Sequence, residues 1–215
     1  MTGWVGSGHD SRVRRIAIVS LVYLIAYFAA AYLDLYTTAL ALQRPGTTEG
    51  NVYSTTEKGY SSAAAWMITG IGAPLIVAFL IFGLVNARHV SHRWLEHPVQ
   101  SFGKFYIIPW RKKVLDRSPL HMASFALAFP ALRLLAAGNN LLIYHYGTGP
   151  LGWLVGIVYK YTSPTIGFWL VLGPLFCLLA VAFAPFAAYV IRRFQHGCER
   201  APGKQGGGVP CRTNG

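Results

Sequence analysis

The sequence predicts an all-α membrane protein with four transmembrane helices, and two observations support that class. Only 12% of the side chains are charged and 53% are apolar, whereas about a quarter of the residues in a soluble domain are charged. The apolar residues also collect in four stretches, each near the roughly 20 residues that cross a bilayer core. Because hydrocarbon offers the backbone no hydrogen-bond partner, each stretch should be a helix. The stretches are Ile16–Leu42, Ser61–Asn86, Leu120–Ile143 and Thr165–Ile191.

The distribution of basic residues predicts the topology. Of the 19 lysines and arginines, three precede the first stretch, seven lie between the second and third, and five follow the fourth. The two loops on the other side hold only three, namely Arg44, Lys58 and Lys160. An excess of basic residues marks the cytoplasmic side, so both termini are predicted to be cytoplasmic and the location to be the cell inner membrane. The net charge of +12 is therefore attributed to topology and anionic lipid, not to nucleic acid.

Three parts of the chain follow from this pattern. Residues 1–15 are a polar, basic lead-in, residues 16–192 the four-helix membrane domain, and residues 193–215 a cytoplasmic tail. The tail is rich in Gly and Pro and lacks an apolar face, which predicts disorder. Alternatively, residues 1–31 are a secretory signal cleaved after Ala29-Ala30-Ala31. Against cleavage, the apolar run continues past this site to Leu42.

Two loop segments are predicted to lie on the membrane surface. In the second loop, Leu95–Val114, aromatic residues precede a basic cluster, and Pro98 and Pro109 interrupt any helix. Aromatic rings favour the headgroup region, and each basic charge is attracted to anionic lipid by about 1 kcal/mol. An ordinary solvated loop is the alternative. In the third loop, Leu151–Tyr161 is apolar but too short to span. The lipid-contacting residues predicted in the second loop are Trp110, Arg111, Lys112 and Lys113.

A polar site is predicted in the outer half of the membrane. Arg133 lies within the third apolar stretch. Inserting an arginine near the bilayer centre costs about 2.5–3.5 kcal/mol, so such a residue needs a partner or a wet cavity. Asp34 is the only acid within the four stretches and lies at a similar depth. The pair either fixes helix register, forms a working polar site, or makes no contact. Thr38 and Asn140, one and two turns further on, can line the same crevice. The full candidate set is Asp34, Thr37, Thr38, Glu49, Asn51, Arg133, Asn139 and Asn140.

The end of the first stretch also carries a short motif. It reads Asp34-Leu35-Tyr36-Thr37-Thr38, followed by Glu49-Gly50-Asn51. This resembles a family of small multi-pass bacterial and archaeal membrane proteins, without an assigned activity, that carry D-x-x-[ST]-T and then E-x-N-P. The chain departs from that pattern at Val52, where the family usually has proline, and the match covers residues 34–51 only. The resemblance implies a multi-pass topology and a polar outer site. The alternative is a capped helix end followed by a polar turn.

No cofactor is predicted, although two sets of residues offer metal or haem ligands. His89 and His121 end and begin neighbouring antiparallel helices, so they can approach each other. Asp34, Glu49 and His145 lie on the outer side, and carboxylate and imidazole are ordinary metal ligands. Neither set has the spacing of a known motif. The sequence also lacks H-E-x-x-H, G-x-S-x-G and G-x-x-x-x-G-K-[ST].

Three classes of function fit these features. A non-catalytic accessory or assembly subunit, packing against other membrane subunits or against copies of itself, suits the small size and the proline-bearing helices. A small-solute carrier or channel would use the Asp34/Arg133 crevice and would have to oligomerise, because four helices leave little lumen. A membrane enzyme acting at the outer face would have Asp34 and Glu49 as acids but no evident nucleophile. The sequence therefore favours the accessory subunit, and no catalytic residue is predicted.

Overall fold

The computed structural model describes residues 7–47, 54–56, 59–103 and 114–196. Within these residues the chain is almost entirely helical. A two-residue antiparallel hairpin, β1 (Thr55–Thr56) and β2 (Gly59–Tyr60), precedes the second helix. Short 3₁₀ turns cover Ala87–His89 and Gln100–Gly103. The helices are α1 (Ser7–Ala41), α2 (Ser62–Val85), α3 (His92–Glu96), α4 (Ser118–Tyr146), α5 (Pro150–Tyr159) and α6 (Pro164–His196).

Four of these helices, α1, α2, α4 and α6, are long and apolar enough to cross a membrane. The predicted fold class is therefore confirmed. α1 begins at Ser7, inside the predicted lead-in, and runs without a break through Ala30 and Ala31, both of which are buried. α6 continues past residue 192 to His196.

The spanning helices run antiparallel in chain order. The start of α1 and the end of α6 lie on one side, which we call the basic side. The opposite side carries β1, β2 and α5, and we call it the hairpin side. Arginines join the helix ends on both sides. Arg12 donates to the carbonyl of Val85 at the end of α2 (2.7 Å), and Arg44 donates to that of Tyr144 near the end of α4 (2.9 Å). A cation at a helix C-terminus also complements the helix dipole.

α4 is the central helix of the bundle. It packs against α1, α2 and α6, whereas α6 makes most of its contacts with α4 and α5. Small residues permit the close packing, since helices in lipid associate through van der Waals contact more than through the hydrophobic effect. A Cβ at Gly83 of α2 would lie 2.7 Å from the Pro119 carbonyl oxygen and 2.9 Å from the Ala123 Cβ of α4. α4 and α6 meet through Ala123, Ala187 and Ala188 in one buried cluster.

The described part of the second loop packs against the ends of α4 and α6. Leu95 is buried in the cluster that contains Ile191, Ser101 is fully buried, and the Phe102 ring lies 4.2 Å from the His121 ring. α3 ends at Glu96, as the nearby Pro98 requires. The basic cluster predicted to contact lipid lies outside the described residues, so that contact stays a prediction. It comprises Trp110, Arg111, Lys112 and Lys113.

The short apolar segment predicted in the third loop forms α5, ten residues long and packed beside α4 and α6. None of its residues is buried. Large aromatic side chains are exposed around it and around the neighbouring helix ends, as is typical of a membrane–water interface. They are Tyr36, Tyr144, Tyr146, Trp153 and Tyr161.

Candidate functional site

One face of α1 forms a continuous seam with the neighbouring helices. Its buried residues recur at alternating steps of four and three along the chain, the spacing that keeps one helix face against a partner. This spacing brings Asp34 onto the same face as two buried tyrosines. The residues of the seam on α1 are Tyr23, Tyr27, Ala30, Asp34, Thr37 and Ala41.

Asp34 and Arg133 form the predicted ion pair. The Arg133 Nη1 lies 2.7 Å from the Asp34 Oδ2, and its Nη2 donates to the Thr69 hydroxyl of α2 at 3.1 Å. The side chains keep 11% and 22% of their surface exposed, for Asp34 and Arg133 respectively. Because the planar guanidinium presents several donors in a fixed fork, one arginine can join two helices to a third. Arg133 therefore links α1, α2 and α4 at one point.

Thr69 and Tyr27 belong to this site, although they are not among the residues predicted from the sequence. The Thr69 hydroxyl donates to the carbonyl of Ala65 (2.8 Å), which leaves its lone pairs for Arg133. The Tyr27 hydroxyl donates to the Thr69 carbonyl at 3.2 Å. Threonine often bonds back to its own helix, so it gives little signal in sequence. The one available sign is that, apart from Ser62, Thr69 is the only hydroxyl in α2.

The threonines of the motif have different roles. The Thr38 hydroxyl accepts from Asn140 Nδ2 at 2.8 Å, so the two residues predicted to line the crevice form a second polar contact between α1 and α4. Thr37 is buried, and its hydroxyl bonds back to the carbonyls of Leu33 (2.8 Å) and Asp34 (3.0 Å). Thr37 therefore satisfies itself within α1 and makes no side-chain bond to Arg133.

A tyrosine compensates for a proline deeper in the seam. Pro130 lies inside α4 and has no N–H group, so the carbonyl of Ala126 lacks its regular helical donor. The Tyr23 hydroxyl of α1 donates to that carbonyl at 2.6 Å. Membrane helices tolerate proline where a neighbouring helix satisfies the released carbonyl in this way.

The remaining candidates on the hairpin side lie apart from the ion pair. Asn139 Oδ1 accepts from the backbone N–H of Leu151 at the start of α5 (2.9 Å). Adjacent residues point about 100° apart around a helix, so Asn139 and Asn140 face different neighbours. His145 is exposed, with its ring 5.0 Å from that of Tyr144. Glu49 and Asn51 lie outside the described residues.

The basic-side histidines differ in burial. His121 is buried, and its Nε2 lies 2.9 Å from the Ser101 hydroxyl. Because that hydroxyl donates to the Pro98 carbonyl (2.6 Å), the His121 Nε2 must be the donor to Ser101. His89 is exposed and accepts from Arg88. In the part of the chain that the structure describes, no group of three or more His, Cys, Asp or Glu residues could hold a metal ion. Glu49, a member of the alternative ligand set with Asp34 and His145, is not among those residues.

The seam can hold three helices together by one ion pair and several side-chain hydrogen bonds. Four helices are long and apolar enough to span a membrane, and the chain is therefore a helical, multi-pass integral membrane protein. No known protein family, curated protein or solved structure matches the chain.

Proposed function

We propose that this protein is a non-catalytic accessory or assembly subunit of an inner-membrane complex. Both termini lie in the cytoplasm, and α6 is the helix that packs against a partner subunit. The split of basic residues supports this orientation. The D-x-x-[ST]-T resemblance at Asp34–Thr38 supports membership of the family of small multi-pass proteins named above. Anionic lipid at the basic side and other membrane subunits are the expected partners.

The observation that carries the proposal is a stripe of exposed residues along α6. It contains two of the prolines inside spanning helices, Pro174 and Pro185, eleven residues apart and therefore on nearly the same face. Neither proline can donate to the carbonyl four residues before it, at Leu170 and Val181. We call this surface the α6 stripe. Its members are Leu170, Pro174, Leu178, Pro185 and Tyr189, all exposed.

α4 shows how a carbonyl that a proline releases is satisfied by a neighbouring helix. There the carbonyl released by Pro130 receives the Tyr23 hydroxyl from a neighbouring helix of the same chain. On α6, Pro174 and Pro185 deprive the carbonyls of Leu170 and Val181 of their regular helical donors, and both prolines face outward. A polar group without a hydrogen bond is costly in hydrocarbon, and acyl chains have no donor. A transmembrane helix with hydroxyl or amide side chains would supply what α6 lacks.

The polar seam also supports a structural role. Asp34–Arg133 and Thr38–Asn140 join α1 to α4, and Arg133 also donates to Thr69 of α2. The surface that α6 turns outward is apolar, with Leu178 exposed. A chain built in this way fixes its own helices internally and leaves the apolar face of α6 for assembly.

The native cysteine beside the stripe allows a direct test. Cys177 is exposed on α6, and substitution of Cys198 and Cys211 by serine leaves it as the only thiol. A benzophenone attached there and activated in native membranes should give one cross-linked product of discrete mass with another membrane protein. The matched control carries Cys177→Ser together with Ile25→Cys, since Ile25 is exposed on α1. It should yield lipid adducts only. Lipid adducts alone at Cys177, or the same product from both positions, would contradict the proposal.

A further inference from the structure

A groove between α4, α5 and α6 opens sideways in the hairpin-side half of the bundle. Its volume is about 580 Å³. All but one of the residues that form it are apolar or glycine, and the exception is Asn139. The walls include Leu135, Gly138, Asn139 and Leu142 of α4, Leu151 of α5 and Leu175 of α6.

The chain itself does not fill this groove. A Cβ placed on Gly138 would meet nothing within 4 Å, so the wall is open where α4 carries no side chain. α5 has no buried residue, which means that it borders the groove without plugging it. The apolar walls of the groove gain dispersion contacts from any apolar molecule that lies against them.

We propose that one acyl chain of a membrane glycerophospholipid occupies this groove. The groove lies beside two spanning helices, α4 and α6, so acyl chains are the apolar molecules that surround it. Its volume falls within the roughly 300–1,000 Å³ of small-molecule sites.

Asn139 gives the groove one polar contact for such a lipid. Its Oδ1 is occupied by the Leu151 N–H, while its Nδ2 donates to no acceptor among the described residues. An ester carbonyl of the lipid is the matching acceptor. The exposed Trp153 on α5 is typical of the headgroup level, which places the groove within reach of the ester region. This proposal is independent of the α6 stripe, since none of the five residues of the stripe is among those that form the groove.

The test uses a photoactivatable lipid in proteoliposomes of phosphatidylethanolamine and phosphatidylglycerol. The probe is a phosphatidylcholine that carries a diazirine in the middle of one acyl chain. After irradiation and digestion, mass spectrometry should find the adducts concentrated on residues 134–142 and 175. Gly138→Leu fills the open wall and should reduce this labelling by about tenfold, the effect of 1.4 kcal/mol of lost affinity. Gly70→Leu is the matched control, because a Cβ at that helical glycine also meets nothing within 4 Å and Gly70 lies on α2. Its labelling of residues 134–142 should equal that of the wild type.

Two results would overturn the proposal. One is equal labelling of residues 134–142 in the wild type and in Gly138→Leu, provided that Gly138→Leu is folded. Unfolding of the wild type, Gly138→Leu and Gly70→Leu at the same temperature establishes that it is folded. The other is wild-type labelling no stronger in the groove than around the exposed Ile25 of α1. If Gly138→Leu does not fold, Leu175→Phe enters the groove from α6, and the same loss of labelling is expected.

Discussion

Two charged side chains, Asp34 and Arg133, hold α1, α2 and α4 in one register. Arg133 reaches both Asp34 and Thr69, so a single guanidinium satisfies acceptors on two helices. Removing either charge leaves the other unpaired in a largely apolar surrounding. The cost of that is about 3–5 kcal/mol for a fully buried pair. It should be smaller here because both side chains retain some exposure.

We expect Asp34→Asn and Arg133→Gln each to lower the free energy of unfolding, by less than about 3–5 kcal/mol. The double variant should lose less than the sum of the two, because the partners interact directly. Unfolding in mixed detergent micelles measures all three. Glu96→Gln is the control: its side-chain contact with His92 is exposed, and even exposed ion pairs contribute only about 0–1 kcal/mol.

Strictly additive effects would show that the two charges do not stabilise each other. A different result would change the role assigned to the site. If the single variants unfold like the wild type but the protein loses assembly or activity, the pair serves function directly, and register is fixed by other contacts such as Thr38–Asn140.

The contact between α2 and α4 depends on a residue without a side chain. At Gly83 an added Cβ would meet the Pro119 carbonyl oxygen and the Ala123 Cβ at distances that real Cβ atoms do not adopt. The helices would have to separate, and Leu84 and Leu120, both fully buried nearby, would lose contacts. The absence of a side chain at this position is therefore a packing requirement.

Gly83→Ala should destabilise the protein by about 1–3 kcal/mol, the usual cost of overpacking. This loss is expected even though alanine is favoured over glycine in a helix interior by about 1 kcal/mol. The comparison is Gly70→Ala, where the new methyl group meets nothing within 4 Å and only the helical preference acts. Unfolding measurements in which Gly83→Ala is as stable as Gly70→Ala would rule out a close contact between α2 and α4.

The sequence predicts which segments are helices better than it predicts which faces meet. Hydropathy alone identifies the four spanning segments, because the bilayer demands apolar length. Lipid tails are as apolar as leucine side chains. The residues that face lipid and those that face other helices are therefore of the same types, and the sequence does not distinguish the two faces. Ile76 of α2 is 4% exposed and Ile71 is 69% exposed, and nothing in their identity separates them. The predictable contacts, Asp34–Arg133 and Thr38–Asn140, join side chains that are costly to leave unpaired in hydrocarbon.

Apart from the side-chain bond between Arg133 and Thr69, the contacts that escaped prediction depend on backbone groups. Asn139 accepts from the Leu151 N–H at the start of α5, Tyr23 donates to the carbonyl released by Pro130, and Arg44 donates to the Tyr144 carbonyl near the end of α4. Every residue has a backbone carbonyl and nearly every one an N–H, so the sequence does not mark which of them will need a partner. Only a proline marks such a group, since Pro130 shows that the carbonyl four residues before it loses its helical donor, but it does not show that Tyr23 supplies the replacement.

Reporter fusions test the orientation of the whole bundle. With the termini in the cytoplasm, fusions at Gly50, Gly103, Gly147 and Gly206 should report outside, inside, outside and inside. The reason is the fifteen basic residues on one side against three on the other. A reporter active only outside the cytoplasm, such as alkaline phosphatase, makes the reading direct. Activity at Gly103 would reverse the orientation and with it the assignment of the basic side to the cytoplasm.

The central position of α4 has a consequence for the order of events during synthesis. α4 is the third spanning helix to be made, yet it supplies the main partner of α1, and Arg133 follows Asp34 by 99 residues. At about 5–20 residues per second, roughly 5–20 s separate the two on the ribosome. During those seconds Asp34 has no Arg133 to pair with, although α1, the helix that carries Asp34, has already been made.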